Sequence, residues 1–101
     1  MTKSYLGETK VVEVDGEKIT IGSYSYSVQK QITDLSMKEK TLDAIDLFLE
    51  NSIKDWSLTD EAGAKLAITR EVLNSLTGVF VNKILAEATE FNQLNPAEAK
   101  N

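Results

Sequence analysis

The spacing of the apolar residues changes once along this 101-residue chain, and that change constrains the fold more than any other feature. Up to Val28, apolar and polar residues alternate, as they do on strands whose successive side chains point to opposite faces. From Leu42 onward, apolar residues recur at steps of three and four, which places them on one stripe of a helix. The sequence therefore predicts an α+β fold in which strands precede helices and helix predominates.

The N-terminal third predicts a three-stranded β-meander. Its first two strands, 11–14 and 19–21, flank Asp15-Gly16, a pair favoured in type I′ turns because both central residues need a positive φ. The third strand, Tyr24–Val28, alternates large side chains with serines. A meander alone is barely stable in water, so a helix or a partner must cover its apolar face. Its two tyrosines, Tyr24 and Tyr26, either cover the core or present a face to a partner.

Three helices are predicted after the meander. Ser36 and Glu39 have the spacing of a capping box at the start of the first helix. Thr69 suits the N-cap of a short second helix, and Gly78 should separate that helix from the third because glycine costs stability inside a helix. A single kinked helix is the alternative for this last region. The predicted ranges are Met37–Lys54, Arg70–Leu76 and Gly78–Phe91.

The length predicts one domain, since about 100 residues can bury a core without disulfides or metals. We assign residues 10–92 to a single α+β domain. Residues 1–9 show no apolar period and are expected to form a flexible lead-in, and residues 93–101 a flexible tail, because both stretches are short of apolar anchors.

The composition excludes several classes of function. The chain has no cysteine and no histidine, which removes thiol nucleophiles, Ser-His-Asp triads and zinc sites built from these ligands. The carboxylates of Asp43, Asp46 and Glu50 lie at helical spacing, but a solvated helix face explains them without a metal or an acid–base role. We therefore expect no enzymatic activity and no cofactor.

Charge and hydropathy limit the classes of partner that the chain is expected to bind. The formal net charge of −5 opposes nucleic-acid binding, because phosphate contacts need clustered lysine and arginine. No apolar run approaches the roughly 20 residues that span a bilayer. We expect no nucleic-acid partner, no membrane association, and a protein that stays in the cytoplasm where it is made.

The segment between the first two predicted helices holds the chain's only tryptophan, Trp56. Turn-forming residues follow it, with Gly63 available for a positive φ and with Leu58 and Leu66 as apolar anchors on either side. The connecting stretch spans residues 53–69, and we refer to its part after Trp56, residues 57–69, as the connector. Its turn formers and anchors predict a structural joint between two helical layers.

Across Trp56–Glu71 the sequence, WSLTDEAGAKLAITRE, resembles the tail assembly chaperones of long-tailed bacteriophages. In that family a Trp, a Leu and an acidic turn ending in Gly commonly lead to Leu-Pro-apolar-Thr and then to two short helices. Ala67 stands where the family often has proline, a departure that loosens the helix entry but leaves the turn intact. Residues 19–26 also resemble the family's N-terminal region, so the resemblance covers most of residues 18–91.

The resemblance implies a non-enzymatic assembly aid that self-associates in the host cytoplasm. Such a protein holds the tape measure protein, the tail tube protein or both until the tube polymerises, and it is absent from the mature virion. This role needs exposed apolar surface surrounded by charge. The candidate contact residues are large apolar side chains of the connector region and of the last helix, namely Trp56, Leu58, Leu66, Phe80 and Phe91. For each of them, packing in the core is the simpler explanation.

Two other classes stay open. A permanent virion component, such as a tail-completion or head–tail connector protein, would be found in purified particles, whereas a chaperone would not. A small acidic inhibitor or adaptor that imitates nucleic acid would need its carboxylates aligned on one surface, which the mixed spacing of lysine and glutamate does not favour.

Overall fold

A hairpin at the N-terminal end of the computed structural model begins the sheet. The structure describes residues 7–99, and the side chains of residues 7–92. Asp15 and Gly16 have φ values of 52° and 86°, so both central residues of the turn have the positive φ that a type I′ turn requires. The strands on either side are β1 (Thr9–Val14) and β2 (Glu17–Gly22), which pair antiparallel from Val14 opposite Glu17 onward. The predicted hairpin is confirmed.

Four helices and a third strand follow over the described residues. They are α1 (Tyr26–Met37), α2 (Thr41–Ser52), β3 (Ile53–Trp56), α3 (Arg70–Ser75) and α4 (Gly78–Ala99). The sheet order is β1-β2-β3, and both pairs are antiparallel. The predicted α+β class, with a three-stranded antiparallel sheet and a mainly helical chain, is confirmed.

The third strand is Ile53–Trp56 and not Tyr24–Val28, where the prediction was wrong. Ser25 is instead the N-cap of α1, and its Oγ accepts a hydrogen bond from the Val28 N–H at 3.2 Å. Serine is a preferred N-cap because it satisfies one of the free donors in the first turn. The alternation of serine with large residues therefore marks a cap followed by a helix.

The predicted helix Met37–Lys54 was wrong at both ends. Its proposed cap, Ser36, lies inside α1, and the chain reverses over residues 38–40, where Glu39 adopts a φ of 63°. A helical hairpin of α1 and α2 replaces the single helix, so residues 7–99 contain four helices where three were predicted. At the other end α2 stops at Ser52, and Ile53 at once continues as β3.

The helices near the C-terminus agree better with prediction. The short helix α3 has Thr69 as its N-cap, with Thr69 Oγ1 accepting from the Val72 N–H at 3.2 Å. The break before Gly78 is confirmed, but α4 continues past Phe91 to Ala99. Proline at position 96 removes one backbone donor, while the neighbouring alanine and glutamate residues favour helix. The flexible tail over 93–101 stays a prediction, and residues 100–101 lie outside the described part of the chain. Residues 1–6 of the predicted lead-in also lie outside it, and Thr9 begins β1.

The hydrophobic core lies between the inner face of the sheet and the helices α2 and α4. Ile19 and Ile21 of β2 are fully buried there, opposite Trp56 and Ile53 of β3. The other buried apolar residues of this cluster come from every remaining element except α1, and they are Val14, Leu49, Leu58, Leu73, Ile84 and Ala88. The core therefore joins residues that are far apart in sequence.

Replacing Gly16 by alanine should destabilise the fold, because a Cβ at a φ of 86° is strained even where space is free. We expect the free energy of unfolding, measured by urea titration, to fall by about 1–2 kcal/mol. Gly78→Ala is the matched control, since Gly78 has no positive φ and open space around its Cα. That variant should be neutral or more stable by up to about 1 kcal/mol; equal stabilities for the two variants would contradict the turn assignment.

Candidate functional site

The connector folds back onto Trp56. The indole Nε1–H of Trp56 donates a hydrogen bond to the carbonyl of Leu66 at 2.8 Å, and the Leu66 N–H donates to the carbonyl of Leu58 at 3.0 Å. Thr59 and Lys65 form an antiparallel bridge. Trp56 itself is 2% exposed, so its ring is enclosed by the connector and the sheet. These contacts make a small hairpin-like joint after β3.

The apex of the connector is held by Asp60. Its Oδ1 accepts from the N–H groups of Ala62 at 2.9 Å and Ala64 at 3.0 Å, and Gly63 has the expected positive φ of 90°. At the base of the connector, Lys65 forms an ion pair with Asp55 of β3. The hydrogen bond from the Lys65 side chain holds the pKa of Asp55 below its usual range. Every polar contact here serves to position the loop.

The five candidate contact residues do not form one exposed patch. Trp56 and Leu58 are buried, at 2% and 8% exposure, and belong to the core cluster. Leu66, Phe80 and Phe91 are partly buried and pack against that cluster. Core packing, the simpler explanation for each, accounts for Trp56 and Leu58, whereas Leu66, Phe80 and Phe91 stay partly exposed.

The acidic run on α2 contacts an arginine. The Nε and Nη2 atoms of Arg70 lie 3.2 Å and 3.0 Å from the two carboxylate oxygens of Glu50, and Nε lies 3.8 Å from Asp46. The hydrogen bond to Glu50 raises the pKa of Arg70 above its usual value. Within residues 7–99, no group of three or more acidic side chains is arranged to hold a metal ion. The run therefore ties α2 to the start of α3.

A groove of about 530 Å³ lies between α1, α2 and α4. This volume falls within the range of about 300–1,000 Å³ that is typical of ligand clefts. Among the side chains that the structure describes, no charged group lines the groove. Its apolar lining comes from three separate regions of the chain, and consists of Tyr24, Ile32, Ala44, Ile45, Phe48 and Leu85.

Polar but uncharged residues complete the groove. Ser36 and Thr41 line it from the α1–α2 side, and Thr89 and Asn92 line it from α4. Tyr24 stands against Phe48 with ring centroids 5.5 Å apart and planes at 73°, an edge-to-face contact that fixes the groove wall. An uncharged concave surface of this kind can accommodate a row of apolar side chains from a partner protein.

Most of the groove residues were missed by reasoning from the sequence. Tyr24 was assigned to a strand, and Ile32 lies in a helix that the sequence analysis did not predict. One signal was present, because Ala44 and Phe48 widen the apolar stripe of α2. In the structure Ala44 is buried, and Phe48 packs against the core while it also lines the groove.

No protein-family model, curated protein or solved structure matches this chain. Over the described residues, no helix combines the length and the apolar character that a membrane crossing requires. The residues of the chain and their geometry must therefore carry any functional assignment.

Trp56→Phe should reduce stability, because it removes the donor to the Leu66 carbonyl and replaces the buried indole by a smaller ring. We expect the free energy of unfolding to fall by at least about 1–3 kcal/mol, the cost of an unpaired polar group, with the lost packing adding to it. Tyr26→Phe is the control, since it also removes one polar group from an aromatic ring but at a side chain that is 71% exposed. Its effect should stay within about 0.5 kcal/mol. Two equal effects in urea titrations would argue against a structural role for the indole N–H.

Proposed function

We propose that this chain is a tail assembly chaperone of a long-tailed bacteriophage, a non-enzymatic protein that binds the tape measure protein, the tail tube protein or both during tail assembly. The observation that carries the proposal is the uncharged, apolar groove between α1, α2 and α4. The resemblance of residues 56–71 to this family supplies the class of partner.

The groove suits a helical segment of a partner. An amphipathic helix binds a hydrophobic groove by inserting apolar side chains that recur at steps of three and four residues. Ile32, Phe48 and Leu85, one from each of the three helices, offer apolar contacts for such a row. A tape measure protein, expected to be long and helical, presents many such rows, which favours a repeated and low-specificity mode of binding.

The charged surface of α2 lies away from the groove. Asp46 and Glu50 stand two residues after Ala44 and Phe48, a rotation of about 200° around a helix axis. The groove side of α2 is therefore apolar while its opposite side carries the carboxylates that Arg70 contacts. Together with the net charge of −5, this separation supports a protein that binds an apolar partner and keeps the complex dispersed in water.

We also propose that the protein self-associates in the host cytoplasm and is absent from the mature virion. Large apolar side chains on the surface support self-association: Met37 is 79% exposed at the end of α1, and Leu42 is 78% exposed at the start of α2. A permanent virion protein is the alternative. Mass spectrometry of purified particles separates the two, because a structural component would be present in stoichiometric amounts.

Thr89→Arg tests the groove directly. The substitution places a charge within the apolar lining from a partly exposed position on α4. We expect the yield of soluble tape measure or tail tube protein on co-expression to drop, and affinity for the partner to weaken at least about tenfold, because a buried unpaired charge costs more than 1.4 kcal/mol.

Ala86→Arg is the matched control, since it adds the same residue to the same helix at an exposed position that does not line the groove. Circular dichroism should show that both variants are folded. If neither variant changes the yield that the wild-type protein supports, the groove is not the binding site. If the wild-type protein itself leaves the yield unchanged, the chaperone function is wrong.

A further inference from the structure

We infer that α1 is a flap that opens without unfolding the rest of the protein and thereby uncovers one wall of the groove. None of the twelve residues of α1 is buried. Its most enclosed apolar residues, Val28, Ile32 and Leu35, are only half-buried. By contrast, the six-residue helix α3 places Leu73 in the core at 4% exposure. Of the four helices, α1 contributes least to the core for its length.

The polar interactions of α1 are local. Over the described residues, the side-chain hydrogen bonds of this segment join Ser25 to Val28 and Gln31 to the carbonyl of Ser27. Its ion pair, Lys38 with Asp34, spans one helical turn, and Lys30 lies over the ring of Tyr26 at 5.0 Å. None of these contacts fastens α1 to another element. Its packing is chiefly against α2.

Short irregular segments bound α1 at both ends. Residues 23–25 precede it in non-helical conformation, and residues 38–40 follow it. Glu39 adopts a φ of 63° at the reversal after α1, where the N–H groups of Glu39 and Lys40 donate to the carbonyls of Ser36 and Leu35. Tyr24, held edge-on against Phe48, anchors the first of these segments to α2. The helix can therefore swing about an anchored N-terminal end.

Opening of α1 changes the groove and leaves the core intact. A helix of twelve residues is marginal by itself and depends on packing for its stability, so a helix with no buried residue should have a low free energy of opening. Ile32 and Ser36 leave the groove wall when α1 moves, and Ala44 and Phe48 of α2 become more accessible. A closed flap limits exposure of apolar surface in the free protein, and an open flap admits a larger partner segment. This inference does not depend on which partner binds.

Hydrogen exchange of the free protein, measured by mass spectrometry, tests the flap with two cap variants. Ser25→Ala removes the N-cap of α1, and Thr69→Ala removes the N-cap of α3. In each case the lost interaction is the 3.2 Å hydrogen bond that the side-chain oxygen accepts from the backbone N–H three residues later. With Ser25→Ala, amides 30–36 should exchange about fivefold faster, the equivalent of the roughly 1 kcal/mol that a lost cap costs. We expect α1 to be open already at temperatures below the melting of the core, so the melting temperature should stay nearly unchanged, and fluorescence of an apolar dye should rise.

Thr69→Ala should give the opposite pattern, because α3 is tied to the core through Leu73. Its melting temperature should fall by about 4–8 °C, the shift expected for 1 kcal/mol in a domain of this size, with no selective change in amides 30–36. The inference is overturned if amides 30–36 of the wild-type protein are as protected as those of α4. It is also overturned if Ser25→Ala lowers the melting temperature as far as Thr69→Ala does.

Discussion

The burial of Trp56 is the interaction on which the rest of the structure depends. Its ring closes the end of the sheet opposite Ile19, and its indole N–H holds the returning strand of the connector through the Leu66 carbonyl. That return sets where Thr69 lies, and therefore where α3 begins. Trp56 thus links the sheet to the connector and, through the connector, to the start of α3.

The protein divides into a firmly packed part and a lightly packed part. The sheet, the inner side of α2, α3 and α4 share one buried cluster, whereas α1 lies outside it. The groove runs along the boundary between the two parts. A binding surface at such a boundary can change shape without disturbing the core, because its two walls differ in how strongly they are held.

The candidate contact residues illustrate that a segment that resembles a family and a proposed binding surface can lie in different parts of a structure. Trp56 and Leu58 lie in the segment that resembles tail assembly chaperones, but they are buried and position the connector. The groove, in contrast, combines residues 24–48 with residues 85–92. Side chains so distant in sequence come together only when α4 packs across the sheet, which no local pattern specifies.

The sequence by itself determined features that depend on a few adjacent residues. The Asp15-Gly16 turn, the Thr69 cap and the break at Gly78 follow from local backbone preferences and were predicted correctly. Only the tertiary structure decided which segment forms the third strand. Leu49, Ile53 and Trp56 have helical spacing, yet the last two extend as β3 because pairing with Ile21 and Ile19 buries both. Burial against distant residues therefore outweighed the helical spacing of these positions. Because Ile53–Trp56 takes the third position in the sheet, the segment Tyr26–Met37 forms the helix α1.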